Sequence, residues 1–247
     1  MEKEKILECI ESAYYKVAKE KMETNPSDWW PGHNEQAKAT SWIWQVVKEL
    51  IESEDFGDVK QAKLAALYQS RVDDAEGEFR RDLMKDWSKS NQFHEFEEAE
   101  VLLDFTLLDW ESYNHVLLSA ESEMYAKYGV GGSVTHKDNY SWDFYKLLLV
   151  PSPRRLFFAR VGTSDGSDAE KRIDKLVRTL KEMIISPYAH NLLREGDQLA
   201  IFIFPETGSN DMWTHSRFFF WKKESSGVLP EFEKPWEDGT FKHIFEV

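Results

Sequence analysis

Between residues 3 and 20 apolar side chains return every three or four positions, and Ile6, Cys9, Ile10, Ala13, Tyr14 and Val17 fall on one face. That spacing predicts an amphipathic helix with one buried stripe. The segment Asn25–Gly32 interrupts the pattern with breakers and two tryptophans and reads as a loop. A second helical pattern covers about 35–53, with Ile43, Val46, Val47, Leu50 and Ile51 on the stripe. The runs AKLAALYQS and EFRRDLMKDWSK read as further helices. Residues 1–97 are therefore expected to be mostly helical.

From residue 98 the periodicity changes. EVLLDFTLLDW and HVLLSAESEM read as two strands. A glycine-containing loop follows (Gly129, Gly131, Gly132), then YKLLLV as a short helix. RRLFFARV, bounded by Pro153 and Gly162, is a short apolar run of the length of a buried strand. Ser167-Asp168-Ala169-Glu170 forms a capping-box pattern before a helix whose stripe is Ile173, Leu176, Val177, Leu180, Met183 and Ile184. LAIFIFP and RFFFWKKE complete the series as strands. An antiparallel pair followed by strand, helix and strand predicts an α/β (α+β) fold, with a mixed central sheet flanked by helices. With no repeat, low-complexity tract or evident linker, one domain over 1–247 is expected. Its mixed-sheet core would lie in 98–247.

Charge and composition narrow the functional classes. The 247 residues carry 31 basic and 45 acidic side chains, a formal charge of −14. That balance opposes broad attraction to phosphates, although a local basic groove can coexist with an acidic body. No apolar window reaches 18 residues and the N-terminus is charged, so no membrane association is expected. The single Cys9 cannot form an internal disulfide, which fits a cytoplasmic protein, and its spacing places it on a helix face. The seven histidines show no zinc-ligand spacing, and His136 in the loop before Lys146 lacks an evident partner. No phosphate-loop, dinucleotide or nucleophile-elbow motif is present. Arg154, Arg155 and Arg160 flank one strand and suit phosphate contact. Arg80 and Arg81 sit among Glu76, Glu78 and Asp82 and suit intrahelical ion pairs. Trp29, Trp30, Trp213 and Trp236 could stack on bases or on a partner protein.

The strongest chemical signal is a set of acids in apolar strands. Asp104 shares a strand face with Thr106, and Glu121 shares one with Ser119 and Glu123. If the two strands pair with matching faces, the three carboxylates point into one cavity. Burying them requires a metal, a proton or a cation, and hard oxygen donors suit Mg²⁺.

This order of an acid, a hairpin's length, then Glu-x-Glu at a strand end, a helix and a buried strand resembles the PD-(D/E)XK nuclease superfamily. The phrase ESE…DFYKLL…RRLFF is also similar to bacterial members with no assigned substrate. The resemblance covers roughly 98–162 and implies a restriction-endonuclease-like core. It further implies that Asp104 and Glu121 bind Mg²⁺ or Mn²⁺, and that Glu123, at the usual lysine position, extends the ligand set or acts as a general base. Lys146, from the following helix, would stand in for that lysine and stabilise phosphoryl charge. Glu35 is the preferred acid on the first core helix, with Glu78 the other candidate. The function so implied is metal-dependent phosphodiester hydrolysis, with nucleic acid held in a local groove. The alternative is a noncatalytic binding or assembly protein that retains a nuclease-like fold, and a homodimer is compatible with either.

Overall fold

The computed structural model describes residues 1–24, 35–53, 64–68, 94–96, 103–109, 115–123, 138–161, 169–205, 212–224 and 229–234. Side chains are described in the same ranges except 17–24, 35–41, 64–68, 94–96, 108–109, 138–139, 190 and 212. The chain divides into two compact units between Ala120 and Glu121. The sequence pattern instead drew its internal boundary at 97/98.

In the first unit, helices α1 (Lys3–Thr24) and α2 (Glu35–Ser53) pack on one another. Their predicted stripes meet: Ile6, Cys9, Ile10 and Ala13 are buried on α1, and Ile43, Val46, Val47, Leu50 and Ile51 on α2. Trp42 locks the pair. Its indole N–H donates to the Ile10 carbonyl at 2.8 Å, and Tyr14 meets its ring edge-on at 5.0 Å. A buried indole is stable only when its donor finds such an acceptor.

Four strands follow: β1 (Leu64–Tyr68), β2 (His94–Phe96), β3 (Phe105–Asp109) and β4 (His115–Glu123). They lie in the order β2-β1-β3-β4. β1 runs parallel to β2 and antiparallel to β3, and β3 runs antiparallel to β4 with an irregularity between Leu107 and Leu108. Trp44 packs edge-on against Phe105 at 5.4 Å and so seats α2 on β3. β1 corrects the helical assignment of AKLAALYQS, and together with β2 shows that 1–97 is not uniformly helical. A short apolar run fits either state, and here the partner strand β3 decides it. The predicted helix EFRRDLMKDWSK lies outside the described residues, as do the loops at 25–32 and 129–132.

The second unit contains α3 (Asp138–Leu149), β5 (Arg154–Val161), α4 (Ala169–Ile185), α5 (Pro187–Leu192), β6 (Gln198–Pro205), α6 (Met212–His215) and β7 (Arg217–Lys222). β5 and β6 are parallel, joined through α4 and α5, and β7 returns antiparallel to β6. The predicted stripe of α4 is buried at Ile173, Leu176, Leu180 and Ile184. Gly196 turns the chain into β6 with φ +87°, a conformation that disfavours any residue bearing a Cβ. The chain thus has mixed α/β content with mixed strand directions. Among the described residues no helix is long and apolar enough to cross a membrane.

Candidate functional site

The end of β4 carries a buried polar face. Alternation puts Ser119, Glu121 and Glu123 on the same side of the strand, and all three are buried. Glu121 is only 2% exposed. An ionised carboxylate so deep needs a partner of opposite charge.

Helix α3 supplies it. Tyr140, Phe144, Leu147 and Leu148 form its buried stripe. The Tyr140 hydroxyl donates to the Arg160 carbonyl at 2.6 Å, and Phe144 packs edge-on against Phe157 at 5.1 Å. These anchors fix the roll of the helix on β5. Lys146 then places its Nζ 2.5 Å from Glu121 Oε1 and 2.8 Å from Asp143 Oδ1, one helical turn earlier. Burial alone would lower the Lys146 pKa. The hydrogen bonds to Asp143 and Glu121 outweigh that effect and hold it above the ordinary lysine value. Lys146 is therefore an ammonium at every physiological pH: a charge donor, never a base.

Asp104 lies in the first unit, half-buried in a bend just before β3 rather than within the strand. The strand partners nearest the two acids are Phe105 and Ala120. Asp104 precedes Phe105 in the chain, and Glu121 follows Ala120. Among the described residues no group of three or more His, Cys, Asp and Glu side chains could hold a metal ion. The compensating charge for Glu121 comes from a lysine instead. Asp143 was missed in the sequence, although its i, i+3 spacing from Lys146 on a helix was a readable signal.

Several other expectations resolve differently. Arg155 is not available to phosphate: it is 1% exposed, with its guanidinium 2.8 Å from Asp197. Burial would strip charge from this arginine, and Asp197 opposes that. Trp213, a candidate for stacking on bases or on a partner, is buried. Glu35 opens α2, but its side chain lies outside the described residues, as do Glu78, His136, Arg80, Arg81, Trp29, Trp30 and Trp236.

Cys9 behaves as the helix-face residue its spacing implied. Its sulfur lies 4.0 Å from the Ser53 hydroxyl, and burial pushes the thiol up to about 11. In the intact fold at pH 8 a disulfide reagent should modify Cys9 on the order of 100-fold more slowly than a free thiol, because so little thiolate exists. Reaction at the free-thiol rate would show that the α1–α2 contact opens readily. The raised value also fixes the sign of the linkage. The stability contributed by the protonated thiol is complete below its unfolded pKa and is lost as pH rises from there toward 11.

No protein-family model matches this chain, and it has no match among the curated proteins or the solved structures.

Proposed function

We propose that this protein is a nuclease-like phosphodiester hydrolase with the Glu121–Lys146 pair at its reactive centre. The observation that carries this reading is the 2.5 Å contact between a carboxylate ending a sheet strand and a lysine from the next helix. The resemblance to the PD-(D/E)XK superfamily assigned both residues to the site, Glu121 as a metal ligand and Lys146 as a stabiliser of phosphoryl charge. The antiparallel succession β1, β3, β4 supports a restriction-endonuclease-like core, because it supplies the strand needed before the acid.

In this reading Glu121 and Asp143 position the ammonium, accepting two of its three N–H donors. The third is directed to a non-bridging phosphate oxygen, where a fixed cation stabilises the charge that grows in the transition state. Glu123 shares the buried face of β4 and is the candidate base. The requirement for Mg²⁺ or Mn²⁺, through Asp104 and Glu121, rests on the resemblance alone.

The test is cleavage of end-labelled single-stranded and duplex oligonucleotides with Mg²⁺, with Mn²⁺ or with a chelator. Wild type should cleave, and Glu121→Gln, which keeps the side-chain shape, should lower the rate by about 100-fold or more. No cleavage under any condition, or equal cleavage by Glu121→Gln, would overturn the reading.

One observation favours the noncatalytic alternative. Glu121 is already neutralised by Lys146, so its burial requires no metal. The same assay separates the two, because a binding or assembly protein shows no turnover.

A further inference from the structure

The charge of this acidic chain is unevenly distributed. Helix α4 carries five basic residues, Lys171, Arg172, Lys175, Arg178 and Lys181, against three acids, Glu170, Asp174 and Glu182. Two of those acids turn to one side, where Arg217 holds Glu170 at 3.1 Å and Asp174 at 3.5 Å. Lys171, Lys175 and Arg178 are exposed in one row, which Glu182 ends one turn further on. Their i, i+4, i+7 spacing makes one stripe about 10 Å long.

Beside it lies an aromatic platform. Trp142 is 58% and Tyr145 36% exposed, with ring centroids 6.3 Å apart and planes tilted by 31°. Large aromatics left in water on a helix that buries four other side chains are poorly explained by packing. Helices α3 and α4 touch each other and both pack on β5, so they lie side by side on one sheet face and turn their other faces outward together. α4 returns the chain between parallel β5 and β6, and α3 leads through a short turn into β5. Both therefore run antiparallel to β5 and in the same direction as each other, with Trp142 and Tyr145 near the middle of α3 and the basic row in the first ten residues of α4.

We infer that the outer face of α3 and α4 binds single-stranded nucleic acid. Bases stack on Trp142 and Tyr145, and the phosphates pass along Lys171, Lys175 and Arg178. A strand with unpaired bases is the matching partner because it alone offers free π-faces next to a run of negative charge. A rigid duplex offers the charge without the faces. The inference deepens the hydrolase reading by naming its substrate class, and only its link to cleavage rests on that reading.

The test measures binding in the presence of a chelator, so that cleavage plays no part. A fluorescein-labelled twelve-residue oligothymidylate is titrated by anisotropy at several salt concentrations. Wild type should bind it more tightly than a duplex of equal length. Three neutralised phosphates give a log–log salt slope of roughly −2 for a single strand. Trp142→Ala should weaken binding about tenfold, and the triple substitution Lys171→Glu, Lys175→Glu, Arg178→Glu should weaken it more and flatten the salt slope. All four positions are exposed, and circular dichroism checks that the variants fold. If the wild type binds but does not cleave, the hydrolase reading falls and this surface stands. Equal affinity for duplex, or unchanged affinity in the triple variant, overturns the inference.

Discussion

Replacing Lys146 with methionine should destabilise the protein by about 3 kcal/mol, read from the midpoint of urea unfolding. Methionine keeps the length and apolar stem of the side chain but leaves Glu121 without its ammonium. Glu121 is 2% exposed and Lys146 16%, so water cannot take over the lysine's role. The size of the effect comes from the stranded charge, more than from the worth of the pair. The double variant Lys146→Met, Glu121→Gln should therefore recover much of the loss, because it removes both charges together. A single-variant loss below about 0.5 kcal/mol, the range of surface ion pairs, would mean that the pair is solvated and the site open.

The pH dependence has a definite sign. Lys146 titrates above its ordinary value of 10.5 in the fold. The stability it contributes is complete below that value and is lost as pH rises through the folded pKa. The gap between wild type and Lys146→Met should stay flat from about pH 6 to 9 and close only in strong alkali.

The sequence made α1, α2, α4, β3, β4, β5, β6 and β7 readable because each carries enough periodic or continuous apolar residues to declare its state, whereas α3 was read only in its last turns and the short α5 and α6 were missed. α4 is the clearest case: four positions of its six-residue predicted stripe, Ile173, Leu176, Leu180 and Ile184, are the buried ones. β1 was misread because LAALY is too short to show a period, and its strand state is conferred by β3 across the ladder. The site was half legible. The acids at the end of β4 and Lys146 were both picked out in the sequence, but the ion pair between Glu121 and Lys146 was not expected. What the sequence could not rank was which cation would balance Glu121. Metal, proton and ammonium satisfy the same electrostatic demand, and only the roll of α3, set by Tyr140 and Phe144, brings Lys146 to it. Arg155 was misassigned for a related reason: an arginine beside an apolar run reads as a surface cation until its acid partner, 42 residues away, is placed.

That arginine carries the second large effect. Arg155→Met should lower stability by about 4 kcal/mol, near the middle of the range for breaking a buried pair. Its guanidinium reaches three acceptors in two segments. Nη1 donates to Asp197 at 2.8 Å, Nε to the Leu147 carbonyl at 3.3 Å and Nη2 to the Val150 carbonyl at 3.0 Å. The two carbonyls belong to the last turn of α3 and the residue after it, where helix geometry leaves acceptors without intrahelical donors. Asp197 in turn accepts from the Arg194 amide at 3.0 Å and fixes the turn into β6. One side chain thus ties the end of α3 to the start of β6 through β5. Lysine cannot reproduce this, since a compact ammonium lacks the planar fork needed to serve three acceptors. Arg155→Lys should therefore fall between wild type and Arg155→Met, at a loss of about 2 kcal/mol. Hydrogen exchange supplies an independent reading. The amides at the C-terminal end of α3 should lose protection in Arg155→Met before those of β6 do. Uniform loss across the second unit would show that Arg155 stabilises the core as a whole, and unchanged midpoints in both variants would show that the pair contributes nothing net.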